Sequence, residues 1–106
     1  MEAALKAIAE PRRRAILRLV RDGELSAGEI ASHFEVSRPA VSQHLAVLKE
    51  AGLVEERRNG TRRLYRSSPE GLAELKRFLD EFWADRLEAL RSEAERDEKE
   101  GHGKGD

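Results

Sequence analysis

One stretch of the chain, residues 38–50, carries hydrogen-bonding side chains on one side of a predicted helix and apolar side chains on the other. On a helical wheel of about 100° per residue, Arg38, Ser42 and Gln43 fall on the polar side. Arginine can donate two hydrogen bonds to guanine, glutamine can pair with adenine, and serine can bond a base or a phosphate. This side therefore predicts base recognition in the major groove of duplex DNA. The remaining predicted contacts of this helix are Ser37, Pro39 and Lys49.

A basic hairpin is predicted directly after this helix. Asn59-Gly60 separates two strand-like runs, 53–58 and 61–66, and a two-residue Asn-Gly loop is a strong hairpin signal. Arginines gather at its tip, where they would meet the phosphate backbone or the minor groove of DNA as a wing. The alternative is a solvated hairpin that is stabilised partly by Glu55 and Glu56. The predicted wing contacts are Arg57, Arg58, Asn59, Arg62 and Arg63.

The elements before the hairpin indicate how these side chains are positioned. Ser26 and Glu29 have the spacing of a capping box that opens a helix running to about Phe34. So few residues separate it from the helix of residues 38–50 that the two indicate a helix-turn-helix. This position favours base recognition over an ordinary amphipathic surface helix. We therefore predict a mainly α fold with a small β-hairpin, namely a winged helix-turn-helix with about five helices and a two-stranded wing.

The last predicted helix carries a long apolar stripe between residues 72 and 90, with spacings of three and four. Phe82 and Trp83 together exceed what one small domain needs to cover its core, so we expect part of the stripe to face a second subunit. The alternative is a helix packed wholly on its own domain. The apolar pattern then fades, which predicts a domain of residues 1–91 and a charged, disordered tail of residues 92–106. The predicted dimer contacts on this helix are Leu79, Phe82, Trp83, Leu87 and Leu90.

Charge divides the chain into two parts of opposite sign. The 106 residues have a net charge of -1, but residues 1–66 contain 13 basic and 9 acidic residues, and residues 67–106 contain 7 and 12. A basic front part suggests contact with a polyanion. The chain has no cysteine, which excludes disulfides and thiolate metal sites and favours the reducing cytoplasm. Its first residues predict neither a signal peptide nor a membrane span.

No arrangement typical of an enzyme site is present in the sequence. There is no Cys–His pair, no glycine-rich phosphate loop and no pair of carboxylates in a plausible cleft. Ser42 and His44 lie two residues apart on one helix, so their side chains diverge. We therefore predict no catalytic residue and no cofactor. The alternative to a DNA-binding regulator is a winged-helix protein-interaction module without specific DNA binding, with the acidic last helix as its contact surface.

Four segments resemble the ArsR/SmtB family of bacterial repressors. They are AEPRRRAIL at residues 9–17, GELS at 23–26, SRPAVSQHL at 37–45 and LKEAGLV at 48–54. The resemblance implies a homodimeric repressor whose first and last helices pair across a two-fold axis, which adds Leu5 and Ile8 to the predicted dimer contacts. It also implies that the chain reads a partly palindromic operator in double-stranded DNA, with Arg38, Ser42 and Gln43 as the reading residues.

The positions at which the founding relatives bind metal carry other residues here. The arsenic-type site has two cysteines in a Glu-Leu-Cys-x-Cys stretch, and Ser26 and Gly28 stand in those places. The zinc-type site uses histidines and carboxylates of the last helix, but residues 69–95 contain no histidine. We therefore predict no metal site and place the chain with the metal-free members of the family. No small-molecule inducer is assigned.

Overall fold

The structure is a computed structural model that describes the backbone of residues 1–101 and the side chains of residues 1–96. The chain divides into two compact units, Met1–Leu75 and Lys76–Asp106. In chain order its elements are α1 (Glu2–Ile8), α2 (Pro11–Leu19), β1 (Leu25–Ser26), α3 (Ala27–Ala31), α4 (Arg38–Glu50), β2 (Val54–Asn59), β3 (Arg62–Ser67) and α5 (Pro69–Gly101). The predicted winged helix-turn-helix with five helices is confirmed.

The core of the first unit holds α4 in place. Helices α1, α2 and α3 each pack against α4, which contributes the buried side chains Val41, Leu45 and Leu48. Their spacing of three and four residues places them on one side of the helix. Burying such a side chain stabilises a fold by about 1.5–3 kcal/mol relative to leaving it exposed. The opposite side of α4 is thereby turned toward the surface.

Side-chain caps begin α3 and α4. Ser26 Oγ accepts a hydrogen bond from the Glu29 N–H at 3.1 Å, and Glu29 Oε1 accepts one from the Ser26 N–H at 2.9 Å. The predicted capping box is therefore confirmed. Ser37 Oγ accepts from a backbone N–H in the first turn of α4 at 3.2 Å. Helix α3 ends at Ala31 rather than near Phe34, because the last N–H groups of this segment bond to carbonyls three residues back in tighter turns.

The wing, defined here as the hairpin of β2 and β3, belongs to a three-stranded antiparallel sheet in the order β1-β3-β2. Strand β1 was not predicted. Asn59 pairs with Arg62, so the loop consists of Gly60 and Thr61 and the prediction of an Asn59-Gly60 loop is wrong by one residue. A type I′ Asn-Gly loop needs a positive φ at both residues. Here Gly60 has a φ of 67°, and no described non-glycine residue has a positive φ, which is typical of a type II′ loop with glycine first.

Gly52 and Gly71 meet where α4 ends and α5 begins. Gly52 has a φ of 78° and ends α4 in a Schellman motif, in which the N–H groups of Gly52 and Leu53 donate hydrogen bonds of 3.0 and 2.9 Å to carbonyls of the last turn. The carbonyl oxygen of Gly52 lies where a Cβ of residue 71 would be. The start of α5 can therefore approach this turn only because residue 71 has no side chain.

The second unit consists of α5 from Lys76 onward. Its large apolar side chains are exposed except for Leu79, which is half-buried. Phe82 and Trp83 are in edge-to-face contact, with ring centroids 5.6 Å apart. Within this unit, no contact among the described residues covers the apolar face that these side chains form. The helix therefore leaves an apolar surface available for another partner.

Helix α5 extends to Gly101, beyond the point where its apolar pattern fades. Arg91 pairs with Glu88 at 2.7 Å and lies 3.9 Å from Glu95, and ion pairs at these spacings support a helix that has no buried side. Residues 102–106 of the predicted tail lie outside the described residues, and the division of the chain at residue 91 stays a prediction. Within the described part of the chain, no helix combines the length and the apolar composition needed to cross a membrane.

Candidate nucleic-acid interface

A concave groove of about 500 Å³ lies between α4, the start of α3 and the wing. From α4 it is lined by Arg38, Ser42 and Lys49, and from the wing by Arg62 and Arg63. The structure thus brings together five residues that the sequence singled out in two separate elements. The lining does not include the other predicted contacts, which are Ser37, Pro39, Gln43, Arg57, Arg58 and Asn59.

Helix α4 presents the polar side that its sequence predicts. Arg38, Ser42 and Gln43 are exposed, opposite the buried apolar side. His44 is half-buried, with Nδ1 3.5 Å from a guanidinium nitrogen of Arg13, as expected for a residue at the edge of the core. The side chain of Ser37 caps the helix, and Pro39 lies in its first turn, so both have a role in starting the helix.

Glutamates from outside the wing pair with two of its arginines. Glu24 accepts hydrogen bonds of 2.7 and 2.9 Å from Arg57, and Glu29 accepts one of 2.8 Å from Arg62. The hydrogen bond from Arg57 lowers the pKa of Glu24, and the same bond raises the pKa of the arginine. The sequence indicated only Glu55 and Glu56, within the hairpin, as partners of its arginines. Glu24 and Glu29 give no local signal, because each lies 33 residues from its arginine in the chain.

Glu56 joins α4 to the wing at the floor of the groove. Its carboxylate accepts hydrogen bonds from Lys49 Nζ at 3.3 Å and from the Tyr65 hydroxyl at 3.0 Å, and it lies 3.9 Å from Arg63. The hydrogen bond from Tyr65 is the main cause that lowers the pKa of Glu56. Burial, followed by this hydrogen bond, raises the pKa of Tyr65.

The contact between Glu56 and Tyr65 depends on the register of the hairpin. The two residues are directly paired across β2 and β3, so their side chains lie on the same face of the sheet. The predicted Asn59-Gly60 loop would have placed Glu56 opposite Arg63 instead. The signal that could have revealed the contact is therefore the turn type, with Gly60 as the first loop residue.

The two positions that carry cysteines in arsenic-type relatives lie at the start of α3. Ser26 caps this helix, and a Cβ at Gly28 would make an ordinary van der Waals contact with the guanidinium group of Arg38, at 3.6 Å. Across the residues with described side chains, no group of three or more His, Asp or Glu residues is arranged to hold a metal ion. The groove is instead suited to a polyanion, because four cationic side chains, from Arg38, Lys49, Arg62 and Arg63, converge on it.

Comparison with curated proteins identifies relatives over most of the chain. Residues 10–56 match the model of the family described as bacterial regulatory protein, arsR family. An HTH-type transcriptional regulator of Mycobacterium tuberculosis is 51% identical over 86 residues, which cover 81% of this chain and 80% of that protein. The arsenical resistance operon repressor of Staphylococcus xylosus is 35% identical, with 76% of this chain and 77% of that protein covered.

Solved structures agree with this assignment. A crystal structure of a possible transcriptional regulator for arsenical resistance matches with a TM-score of 0.73 and 47% identity, covering 85% of this chain and 94% of that chain. The solution structure of a homodimeric winged helix-turn-helix DNA-binding domain from Mycobacterium bovis matches with a TM-score of 0.64 and 36% identity, covering 83% and 82%. The chain therefore belongs to the ArsR family of bacterial transcriptional regulators and is not an enzyme.

Proposed function

We propose that this protein is a dimeric repressor that occupies a partly palindromic operator in double-stranded DNA. The observation that carries the proposal is the groove, because it joins the exposed side of α4 to the cationic tip of the wing. A major groove about 12 Å wide admits an α-helix, and the exposed side of α4 carries no large apolar side chain apart from Val47. The relatives named repressors support the same function.

Base reading and positioning on the duplex are assigned to different side chains. At the start of α4, Arg38, Ser42 and Gln43 read base edges, since recognition helices contact bases mainly through their N-terminal residues. Contacts to phosphates orient a protein on the duplex and carry no sequence information of their own. We assign that positioning task to Ser37, Pro39 and Lys49 on α4 and to Arg57, Arg58, Asn59, Arg62 and Arg63 on the wing.

The apolar face of α5 is assigned to the dimer. Phe82, Trp83 and Leu87 are 53%, 55% and 59% exposed, and contiguous apolar surface of this kind marks protein contact sites. A second copy of the chain is the partner we propose, since a relative in the same family is a homodimer. Two copies would place two α4 helices about one DNA turn, roughly 34 Å, apart. The full proposed set is Leu5, Ile8, Leu79, Phe82, Trp83, Leu87 and Leu90, and the proposed location is the cytoplasm.

Selection of bound genomic fragments tests the proposed function. Purified protein is mixed with fragmented DNA from its source genome, and the retained fragments are sequenced. We expect an inverted repeat to be enriched, with half-sites about 10 base pairs apart from centre to centre. Recovery of random fragments would argue against specific regulation. A protein that binds no duplex at low salt would support the protein-interaction module instead.

A further inference from the structure

We propose that Glu29 is an internal substitute for a DNA phosphate at Arg62, and that it thereby limits the affinity of the protein for duplex DNA of any sequence. The inference rests on the proposed DNA binding and adds a residue that opposes it. Glu29 lies at the start of α3, outside the elements assigned to DNA contact. Its carboxylate occupies a binding position at Arg62 that a phosphate oxygen would otherwise take.

The geometry of the pair is that of a charge-assisted hydrogen bond. A terminal nitrogen of the Arg62 guanidinium donates to Glu29 Oε1 at 2.8 Å, within the range typical of a guanidinium with either a carboxylate or a phosphate. The Arg62 side chain is 56% exposed and the Glu29 side chain is 49% exposed. A DNA strand can therefore reach the arginine without any rearrangement of the core.

Glu29 is held in place independently of Arg62. The same Oε1 atom accepts the Ser26 N–H at 2.9 Å, and the Glu29 N–H donates to Ser26 Oγ at 3.1 Å. This capping box fixes the carboxylate at the start of α3. When Arg62 turns to DNA, the negative charge of Glu29 therefore stays beside the groove.

Two costs to DNA binding follow from this arrangement. Arg62 exchanges a carboxylate for a phosphate and gains little from the exchange, because both partners are anions of similar hydrogen-bonding geometry. In addition, the fixed Glu29 carboxylate repels any phosphate that approaches within a Debye length, about 8 Å at physiological ionic strength. Both costs are independent of base sequence, so Glu29 acts on affinity for all duplexes alike.

Other acidic residues near the wing are placed differently. Glu24 pairs with Arg57, which does not line the groove. Glu56 lines the groove but is only 19% exposed and is tied to Lys49 and Tyr65. Glu55 pairs with Arg66 at 3.0 Å, away from the groove lining. Of these four glutamates, Glu29 is the exposed one that pairs with an arginine of the groove lining. Glu55 offers a matched control, because its side chain is comparably exposed and also pairs with an arginine but lies outside that lining.

The test is the variant Glu29→Gln, which removes the charge and keeps a capping-box residue. Binding to a random-sequence duplex is measured as a function of salt, and thermal unfolding checks that the variant folds as the wild type does. We expect affinity roughly two- to fivefold tighter than that of the wild type, the range that an exposed ion pair supplies. The slope of log affinity against log salt should steepen by up to about 0.9, because the fixed charge of Glu29 no longer offsets one of the cations that neutralise phosphates.

Two further variants make the test specific. Glu55→Gln changes the net charge by the same amount and should alter affinity and slope much less. In an Arg62→Ala background, the effect of Glu29→Gln should shrink to the part that comes from repulsion of phosphates, since the exchange at Arg62 is then absent. The inference is overturned if Glu29→Gln and Glu55→Gln behave alike, or if the effect of Glu29→Gln is undiminished without Arg62. Wild-type protein that binds no duplex would instead overturn the proposed function itself.

Discussion

Acidic and basic side chains share the groove between α4 and the wing. Arg38 lies at the start of α4, and no hydrogen bond or ion pair within the described part of the chain engages its guanidinium group. Arg62 and Lys49 each have a glutamate partner. The cations of the groove therefore differ in how readily they can transfer to DNA. Arg38, which we propose reads a base, can bind DNA directly. Arg62 and Lys49 must first release a glutamate carboxylate.

The variant Arg38→Ala is expected to relax the preference of the protein for particular base pairs. A bidentate contact from arginine to guanine is worth about 1–3 kcal/mol of discrimination against a wrong base. Fluorescence anisotropy measures the affinity of each protein for a selected fragment and for copies of it that are each changed at one base pair. For the variant, the affinity for the selected fragment should fall toward the affinity for the copy that is changed at the base pair read by Arg38. Arg18→Ala, on the exposed side of α2, is the control. A variant that keeps the wild-type preference at every base pair would contradict the assignment of Arg38.

Glu56 is expected to make stability depend on acid pH. Because its folded pKa lies below the ordinary value of 4.5, the unfolded chain binds the proton more readily. Its contribution is therefore complete above about pH 4.5 and is lost as pH falls through the lower folded value. Urea unfolding between pH 3 and 6 should show a flatter loss of stability for Glu56→Gln than for the wild type.

Tyr65→Phe tests the cause of this pH dependence. It leaves the Glu56 carboxyl group in place but removes the hydroxyl that donates to it. The pKa of Glu56 should then move toward its ordinary value, and the slope of stability against pH should again be flatter. An unchanged slope in both variants would show that other carboxylates, such as those of Glu24 and Glu29, account for the acid sensitivity.

Among the elements, the junction of α4 and α5 depends on close approach of two backbones. The carbonyl oxygen of Gly52 stands where residue 71 would place a Cβ. Any side chain at that position has to push the first turn of α5 away from the end of α4. The N–H of Gly52 is bonded in the turn that ends α4, and the N–H of Gly71 donates to Ser68 Oγ at the start of α5. A shift of either backbone segment therefore strains these hydrogen bonds.

Gly71→Ala is therefore expected to destabilise the fold. Overpacking of this kind costs about 1–3 kcal/mol, which urea denaturation measures as a lower midpoint. Gly23→Ala serves as the control, since a Cβ at Gly23 would meet no heavy atom within 4 Å, and its effect should stay within about 0.5 kcal/mol. Equal stabilities for the two variants would mean that the junction relaxes at no cost.

For the whole molecule, the exposed apolar face of α5 indicates a partner. Phe82, Trp83, Leu87 and Leu90 are each more than two-fifths exposed in the single chain. Their exposure would be costly in water, and covering them with a second copy removes that cost. Dimerisation also doubles the number of DNA contacts, so that affinity for an operator and assembly are linked.

Trp83→Glu is expected to break the dimer. A buried tryptophan at the centre of an interface commonly contributes 2 kcal/mol or more, so the dimer dissociation constant should rise by about 30-fold or more. Sedimentation equilibrium measures this change. Ala84→Glu adds the same charge about 100° around the helix, on an exposed residue outside the apolar stripe, and should leave the dimer intact. A dimeric Trp83→Glu variant would move the interface away from this face.

The sequence alone was sufficient for features that depend on local spacing. The polar and apolar sides of α4, the capping box of Ser26 and Glu29 and the apolar stripe of α5 follow from periods of three to four residues. The family resemblance rested on the same local segments and is confirmed. Each of these features needs only neighbours within a turn or two of helix, which is why the pattern of residue types predicts them.

The tertiary structure decided which charges meet. Glu29 and Arg62 lie 33 residues apart, and no local pattern links them. Strand β1 is only two residues long and exists because β3 offers it a partner. The register that joins Glu56 to Tyr65 depends on Gly60 taking the first loop position. The sequence therefore determined which side of α4 faces outward. The pairing of Glu24 and Glu29 with wing arginines was decided by the long-range packing of β1 and α3 against β3.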